Sequence, residues 1–417
     1  MGNVAAVSPV LADDRVQAID ALRGFAILGI FLDNVFGFSG YLFFSSASRE
    51  SLPTFPLDSV LSLAELTLVN GKFYSLFSIL FGLGFAIILE RTLRKGLSPL
   101  PLFYRRLAIL MLVGWIHLRY FWDGDILFLY GFLGLFLPLF RKLSNRALLV
   151  SALVLILSPI AIQTVCHLVG LRPGAGLEAM GMAVDSQNGI PFDESFSQYL
   201  YNPGAGWAEW RHWTESGWLY RFSYLLSSHR LPKVFGCFLI GYWLGRNRLF
   251  VQVHDRRWIL LKIRKLGLVL GIPFSLATAL LTVFGEQVGD ESGVLERICY
   301  ALGVVPLGLA YGAWIFLSWE KSQGGNWLRW LVPVGRMALT NYLMQTMLGI
   351  GLFYGVGLGW GGGLGPTYFL PIAILVFVAQ VLFSNLWMRH FQFGPLEWLW
   401  RMGTYLRYFP LRKAKAS

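Results

Sequence analysis

Residues 16–38, VQAIDALRGFAILGIFLDNVFGF, form an apolar run of bilayer length interrupted by Asp20, Arg23 and Asp33. A transmembrane helix needs about 20 predominantly apolar residues. The run is continuous, not alternating, so it reads as a helix and not as a barrel strand. Asp13, Asp14 and Arg15 precede it and no small-residue cleavage site follows, so we expect a retained first span and not a signal peptide. Comparable runs recur along the chain at 72–90, 102–120, 124–140, 147–169, 231–246, 260–284, 296–318, 331–354 and 368–389. The expectation is an all-α, polytopic transmembrane bundle of about ten spans.

Composition agrees. The chain is 55% hydrophobic and 14% charged, whereas soluble domains carry about a quarter charged residues. The net charge of +12 therefore reads as topogenic charge and not as a nucleic-acid surface. Its distribution sets the orientation. Arg91, Arg94, Lys95, Arg105 and Arg106 share one side with Arg141, Lys142 and Arg146. The segment from Arg246 to Lys265, with His254, and the tail with Arg401, Arg412, Lys413 and Lys415 fall on the same side. The opposite loops are poor in Lys and Arg or acidic, as with Glu286, Asp290, Glu291 and Glu296. Positive-inside bias then predicts both termini in the cytoplasm. The organisation read from this pattern is a membrane half over 1–170, one long outer loop over 171–230, and a second membrane half over 231–417 ending in a basic tail.

Three other pieces complete the outline. An amphipathic stretch from Asp58 to Asn70 predicts an outer interfacial helix. The Trp-, Tyr- and Gly-rich 171–230 loop is long enough to act as a lid or acceptor site. Residues 355–366, GVGLGWGGGLGP, read as a flexible hairpin and lack the Lys-Ser/Thr of a P-loop. Trp398, Trp400 and Tyr408 give the tail the pattern of an amphipathic helix on anionic lipid. Cys166, Cys237 and Cys299 fall inside apolar runs, and no metal-ligand spacing is present. The FGLGF of 81–85 suggests close helix packing, within the chain or across a homodimer. KFYSLFSILFGLGFAIILER (72–91) and KVFGCFLIGYWLGRNR (233–248) faintly echo each other.

Ionisable residues inside spans are costly, and by default they mark sites. Asp20 and Arg23 share a face of the first span, as a helix-end ion pair or as an anion site at the cytoplasmic mouth. Asp33 and Asn34 lie towards its outer end. In WIHLRYFWDGDILFLY (115–130) a short turn brings His117 near Asp123 and Asp125. A histidine oriented by a carboxylate such as Asp125 is a general base, because the carboxylate fixes the tautomer and stabilises the imidazolium. His229, beside Arg230 and Lys233, is the second histidine candidate. Lys72 and Tyr74 open the second span from outside, as a snorkelling pair or as ligand contacts. Arg336, Thr340, Asn341 and Gln345 form a polar stripe, for interhelical hydrogen bonds or for a lined cavity.

RGFAILGIFLDN (23–34), GKFYSLFSILFGLGF (71–85), GDILFLYGFLGL (124–135), GRMALTNYLMQ (335–345) and FGPLEWLWR (393–401) together resemble the YeiB family of bacterial inner-membrane proteins. The first half is also similar to the transmembrane acyltransferase superfamily, which includes heparan-alpha-glucosaminide N-acetyltransferase. That resemblance implies a bacterial cytoplasmic-membrane location. It also implies an acyl-CoA donor from the cytoplasm and a small-molecule, glycan or lipid-linked acceptor on the far side. Arg23 and Gly24 match the superfamily's Arg-Gly, and Asn34 matches the asparagine of the N-acetyltransferase branch. Residues 35–71 contain no His to match that branch's catalytic histidine, so either His117 replaces it or the chemistry differs. The expected roles are then Arg23 and Arg336 on the donor's phosphates and His117 with Asp125 as base. Asn34 or Asn341 would stabilise the oxyanion, and Lys72, Tyr74, Gln345 and His229 would meet substrate. The alternative is a transporter or lipid-handling protein that uses the same groups as a substrate or proton path.

Overall fold

The computed structural model describes residues 17–193, 195–249, 255–284, 292–322 and 327–413. Asp13, Asp14, Arg15, His254, Glu286, Asp290, Glu291 and Lys415 lie outside them. The described chain is a helical membrane bundle, and its long membrane-crossing helices follow apolar runs of the sequence. The first helix is α1 (Gln17–Phe38), followed by the short α2 (Ser46–Glu50) and by α3 (Phe55–Leu68). Next come α4 (Lys72–Arg94), α5 (Pro99–Tyr120), the short α6 (Leu127–Gly134) and α7 (Asn145–Leu168). The long loop folds as α8 (Ala175–Gln187), α9 (Phe196–Tyr201) and α10 (Trp207–Ser227). The second half holds α11 (Arg230–Arg246), α12 (Arg257–Phe284), α13 (Ser292–Lys321), α14 (Leu328–Arg336), α15 (Ala338–Phe353), α16 (Pro366–His390) and α17 (Pro395–Tyr405).

Seven stretches are long and apolar enough to cross a membrane, namely α1, the α3–α4 run, α5, α7, α12, α13 and α16. The remaining apolar runs are shorter helices. The run at 331–354, read above as one span, is broken at Met337. Pro333 within α14 has no N–H for the helical ladder, and Met337 ends α14 outside helical geometry. The break exposes the first N–H groups of α15, and the Glu397 carboxylate takes one from the Thr340 backbone (2.9 Å) and one from the Thr340 hydroxyl (2.6 Å). Asp58 does the same for α16, accepting from the Thr367 N–H (2.8 Å) and hydroxyl (2.6 Å). Both carboxylates are buried. In hydrocarbon a helix end has no water to satisfy it, so distant side chains must.

These contacts also change two loop expectations. Residues 355–366 are anchored, because Asp58 holds the start of α16 and the Gly355 N–H bonds to the Leu200 carbonyl (3.0 Å). The tail helix α17 is not simply laid on a surface, since Glu397 and Trp400 face inward against α15 and α5.

Small residues set the closest crossings. A Cβ at Gly82 would sit 1.9 Å from the Phe238 carbonyl oxygen, and one at Gly241 would sit 1.8 Å from that of Ile79. Thus the Gly82 of FGLGF packs α4 against α11 within the chain, the two helices whose sequences echo each other. We expect Gly241→Ala to lower stability by about 1–3 kcal/mol through overpacking. Gly351→Ala, whose Cβ would meet nothing within 4 Å, should leave the melting temperature in detergent unchanged.

Candidate functional site

Two cavities enter the bundle from opposite ends. The first, about 190 Å³, lies at the end carrying the basic loops and is lined by Arg23, Arg106, Arg336 and Arg401 with Asp20 and Glu397. Arg23 pairs with Asp20 one helical turn away (2.9 Å). Arg106 stacks over the Trp400 ring at 3.8 Å, while the Trp400 indole N–H donates to the Arg106 carbonyl (3.0 Å). Arg336 reaches the cavity because the helix ends there, and it donates to the Gln392 carbonyl (3.2 Å). Four guanidinium groups against two carboxylates, both already accepting hydrogen bonds, leave a positive field suited to phosphate oxygens.

The second cavity, about 320 Å³, opens at the other end and is lined by Asp33, Asn34, Asn70, Tyr74, Asp123 and Arg221 among others. Helix α10 of the long loop forms one wall, through Trp213, Tyr220, Arg221 and Tyr224. Asn70 donates to Asp33 (2.8 Å). Enclosure of the Asp123 carboxyl in the α5–α6 turn pushes its pKa up, with Arg221 opposing.

Ile126 and Tyr130 line both cavities, so one turn of α6 is the wall between them. These residues are four apart and share a helix face. The wall is held on both sides. The Tyr130 hydroxyl donates to the Tyr74 carbonyl (2.9 Å) and lies 2.7 Å from the Ser78 hydroxyl. Asp125 accepts from the Phe128 N–H (2.8 Å) with one oxygen and meets His117 Nδ1 (2.8 Å) with the other. Its backbone carbonyl accepts from Arg221 (2.5 Å), so α10 and α6 are pinned at one residue. The other His117 nitrogen, Nε2, lies 2.9 Å from the Thr346 hydroxyl.

The candidates named above fall into five places. Arg23 and Arg336 share the first cavity, and Asn34 and Tyr74 share the second. Lys72 and His229 line a third, of about 260 Å³, that adjoins the second through Asn70, Tyr224 and Arg230. His117 and Asp125 are buried with Thr346 behind Tyr342, a first-cavity residue 5.5 Å from the His117 ring, and Trp122, a second-cavity residue. Asn341 and Gln345 line none of the three; Asn341 bonds to Ser384 (3.0 Å) and Gln345 to Gln380 (2.9 Å), tying α15 to α16. Sequence reasoning gave no site role to Arg106 and Arg401, which it counted as topogenic charge, nor to Arg221 and Arg230 of the long loop and its end. Among the described residues no group of three or more His, Cys, Asp or Glu is placed to hold a metal.

Residues 244–407 match the family model described as "Protein of unknown function (DUF418)". The Bacillus subtilis "Uncharacterized protein YxaH" is 32% identical, over 98% of this chain and 99% of its own length. The Escherichia coli "Uncharacterized protein YeiB" is 30% identical, over 94% of this chain and 96% of its own. A Bacillus acidopullulyticus protein described as "Uncharacterized 39.9 kDa protein in amylase 3'region" is 27% identical, over 99% and 100%. No solved structure matches the chain.

Asp125 joins His117, α6 and α10, so its loss should be felt at all three. We expect Asp125→Asn to cost about 1.5–3 kcal/mol, the scale of a lost charged hydrogen bond in a buried setting. Thermal unfolding in detergent measures it, and an unchanged melting temperature would mean that these contacts do not form.

Proposed function

The chain belongs to the YeiB-like family of membrane proteins, and from that premise we propose that it is a membrane-embedded acyltransferase. An acyl-CoA would enter from the cytoplasm and pass its acyl group to an acceptor on the other face. The observation that carries this reading is the meeting of an arginine-lined cavity and an opposed polar cavity across the Ile126–Tyr130 wall. The basic end is taken as cytoplasmic by the positive-inside bias. On this reading both termini are inside, and the bundle has about ten spans in a bacterial cytoplasmic membrane.

On this reading Arg23, Arg106, Arg336 and Arg401 hold the phosphates of the donor, and its pantetheine arm runs towards Tyr130. The acceptor's hydroxyl or amine attacks the thioester carbonyl, the new C–O or C–N bond forms as the C–S bond breaks, and the thiolate leaves with coenzyme A. Asn34, in the second cavity, is better placed than Asn341 to stabilise the oxyanion. The acceptor's proton goes to a base. His117, with its tautomer set by Asp125, serves if the Trp122 or Tyr342 ring moves aside. Asp123 already faces the second cavity, with its pKa raised by enclosure, and is the competing candidate. A carrier that alternates across the same thin wall is the second reading, favoured by the opposed cavities themselves.

Calorimetry of acetyl-CoA and longer acyl-CoAs with the purified protein tests the donor site. We expect micromolar binding that Arg23→Ala and Arg106→Ala each weaken by at least about tenfold. Absence of binding by the folded protein would sink acyl transfer and leave the carrier. With a donor bound, His117→Ala should abolish turnover. Retained turnover in that variant together with loss in Asp123→Asn would move the base to Asp123.

A further inference from the structure

We propose that the third cavity is a phosphate site, built for the monoester or pyrophosphate group of a lipid headgroup or of a soluble phosphate ester. Four basic side chains converge there, Lys72, Arg230, Lys233 and Arg297, and among the described residues Glu296 is the only carboxylate in its lining. The ammonium of Lys233, 3% exposed, has three protons but one oxygen partner, the Tyr300 hydroxyl at 3.0 Å. Its other neighbours are the faces of Tyr300 (4.1 Å) and Tyr74 (4.4 Å). Arg230 is held between the rings of Tyr74 (4.8 Å) and Tyr224 (4.6 Å), and its guanidinium has no hydrogen-bond acceptor among the described residues. The Arg297 Nε is enclosed and likewise without an acceptor among them. Lys72, and His229 which also lines the cavity, are answered within the protein. The Lys72 ammonium donates to the Leu66 carbonyl (2.7 Å), and His229 bonds to Gln163 (3.0 Å).

Buried cations with too few acceptors are costly unless an anion joins them. Aromatic faces hold the cations in place without neutralising them. Four basic side chains against one described carboxylate leave an excess of positive charge, which suits a phosphate monoester at about −1.5 to −2 better than a carboxylate. The site lies at the end away from the basic loops, where α4, α11 and α13 begin. Ile156 and Pro159 of α7 and Thr278 and Thr282 of α12 form its far wall. Other residues of those two helices, such as Leu153, Val154, Leu276 and Leu280, are exposed, so a headgroup bound here has apolar helix faces nearby for its chains. Assigning this phosphate to the acceptor of acyl transfer rests on the reading above, because the cavity adjoins the second one at Arg230 and Tyr224. The phosphate site itself does not.

Thermal unfolding and titration of the purified protein in an uncharged detergent test this, with phosphatidic acid, diacylglycerol of the same chains, glycerol 3-phosphate and inorganic pyrophosphate as probes. We expect stabilisation by phosphatidic acid and none by diacylglycerol. Arg297→Gln and Lys233→Met should each weaken binding by roughly tenfold or more while the unliganded variants melt no lower than the parent, because each loses an unanswered charge. Equal binding of the soluble esters would identify a soluble ligand, and phosphatidic acid alone would identify a headgroup. Absence of binding by every phosphate probe overturns the proposal, as does binding unchanged in both variants. Should Lys233→Met fail to fold, Arg297→Gln decides. Acyl-CoA affinity measured in the same variants separates the two readings. Its absence in a parent that still binds phosphate sinks acyl transfer alone, and its persistence where phosphate binding is absent sinks this site alone.

Discussion

A backbone N–H at a helix end inside a membrane must find an acceptor within the protein, and this bundle meets that demand with buried carboxylates, two of them from distant parts of the chain. Glu397 serves the start of α15, Asp58 the start of α16, and Asp125 the start of α6. Each of these helices begins where a loop or a break would otherwise leave buried polar groups without a partner. The consequences reach the cavities directly. Because Glu397 can satisfy the start of α15, the chain can break at Met337, and the break lets Arg336 end a helix at the mouth of the first cavity. Because Asp125 satisfies the start of α6, that helix can begin at depth, and its first turn becomes the wall between two cavities.

Close packing does the second part of the positioning. Gly82 and Gly241 bring α4 and α11 to backbone contact, so Lys72 and Lys233, the lysines that open the two echoing segments, line one cavity. The pair differ in their surroundings. Lys72 has a carbonyl acceptor in the turn that precedes its helix, and Lys233 has a tyrosine hydroxyl and two ring faces. The same geometry thus brings to one cavity a lysine answered by a backbone carbonyl and a lysine answered by a single tyrosine hydroxyl.

Much of this was legible in the sequence. Hydropathy alone marks the helices, since a bilayer-length apolar run has few other fates, and the dyad of His117 and Asp125 follows from a short turn between adjacent apolar runs. Other features were not legible, for identifiable reasons. The stripe of Asn341 and Gln345 is visible in α15, but whether it faces a cavity or a neighbour depends on Gln380 and Ser384, which nothing in α15 specifies. The break at Met337 depends on Glu397, some sixty residues on. A histidine with a carboxylate is also the same pattern whether it is open to substrate or enclosed, and enclosure is a tertiary fact.

The arginines carry the deepest ambiguity. Arg106 and Arg401 are what the positive-inside bias places on a cytoplasmic flank, and nothing in their local sequence separates them from Arg105 or Arg407. What separates Arg106 is Trp400, whose ring lies under the Arg106 guanidinium and whose N–H is tied to the Arg106 carbonyl; Arg401 follows Trp400 on α17 and lies over the Phe393 ring (4.7 Å), and both arginines line the cavity. A charge that orients the chain during insertion can therefore also serve a ligand, because insertion reads only which flank it occupies while binding reads where its fork points. The two demands do not compete, and this lets a cationic cavity form at an end of the bundle that is basic for topological reasons. At the opposite end no such bias supplies cations, so Arg230, Lys233 and Arg297 stand against the prevailing charge pattern.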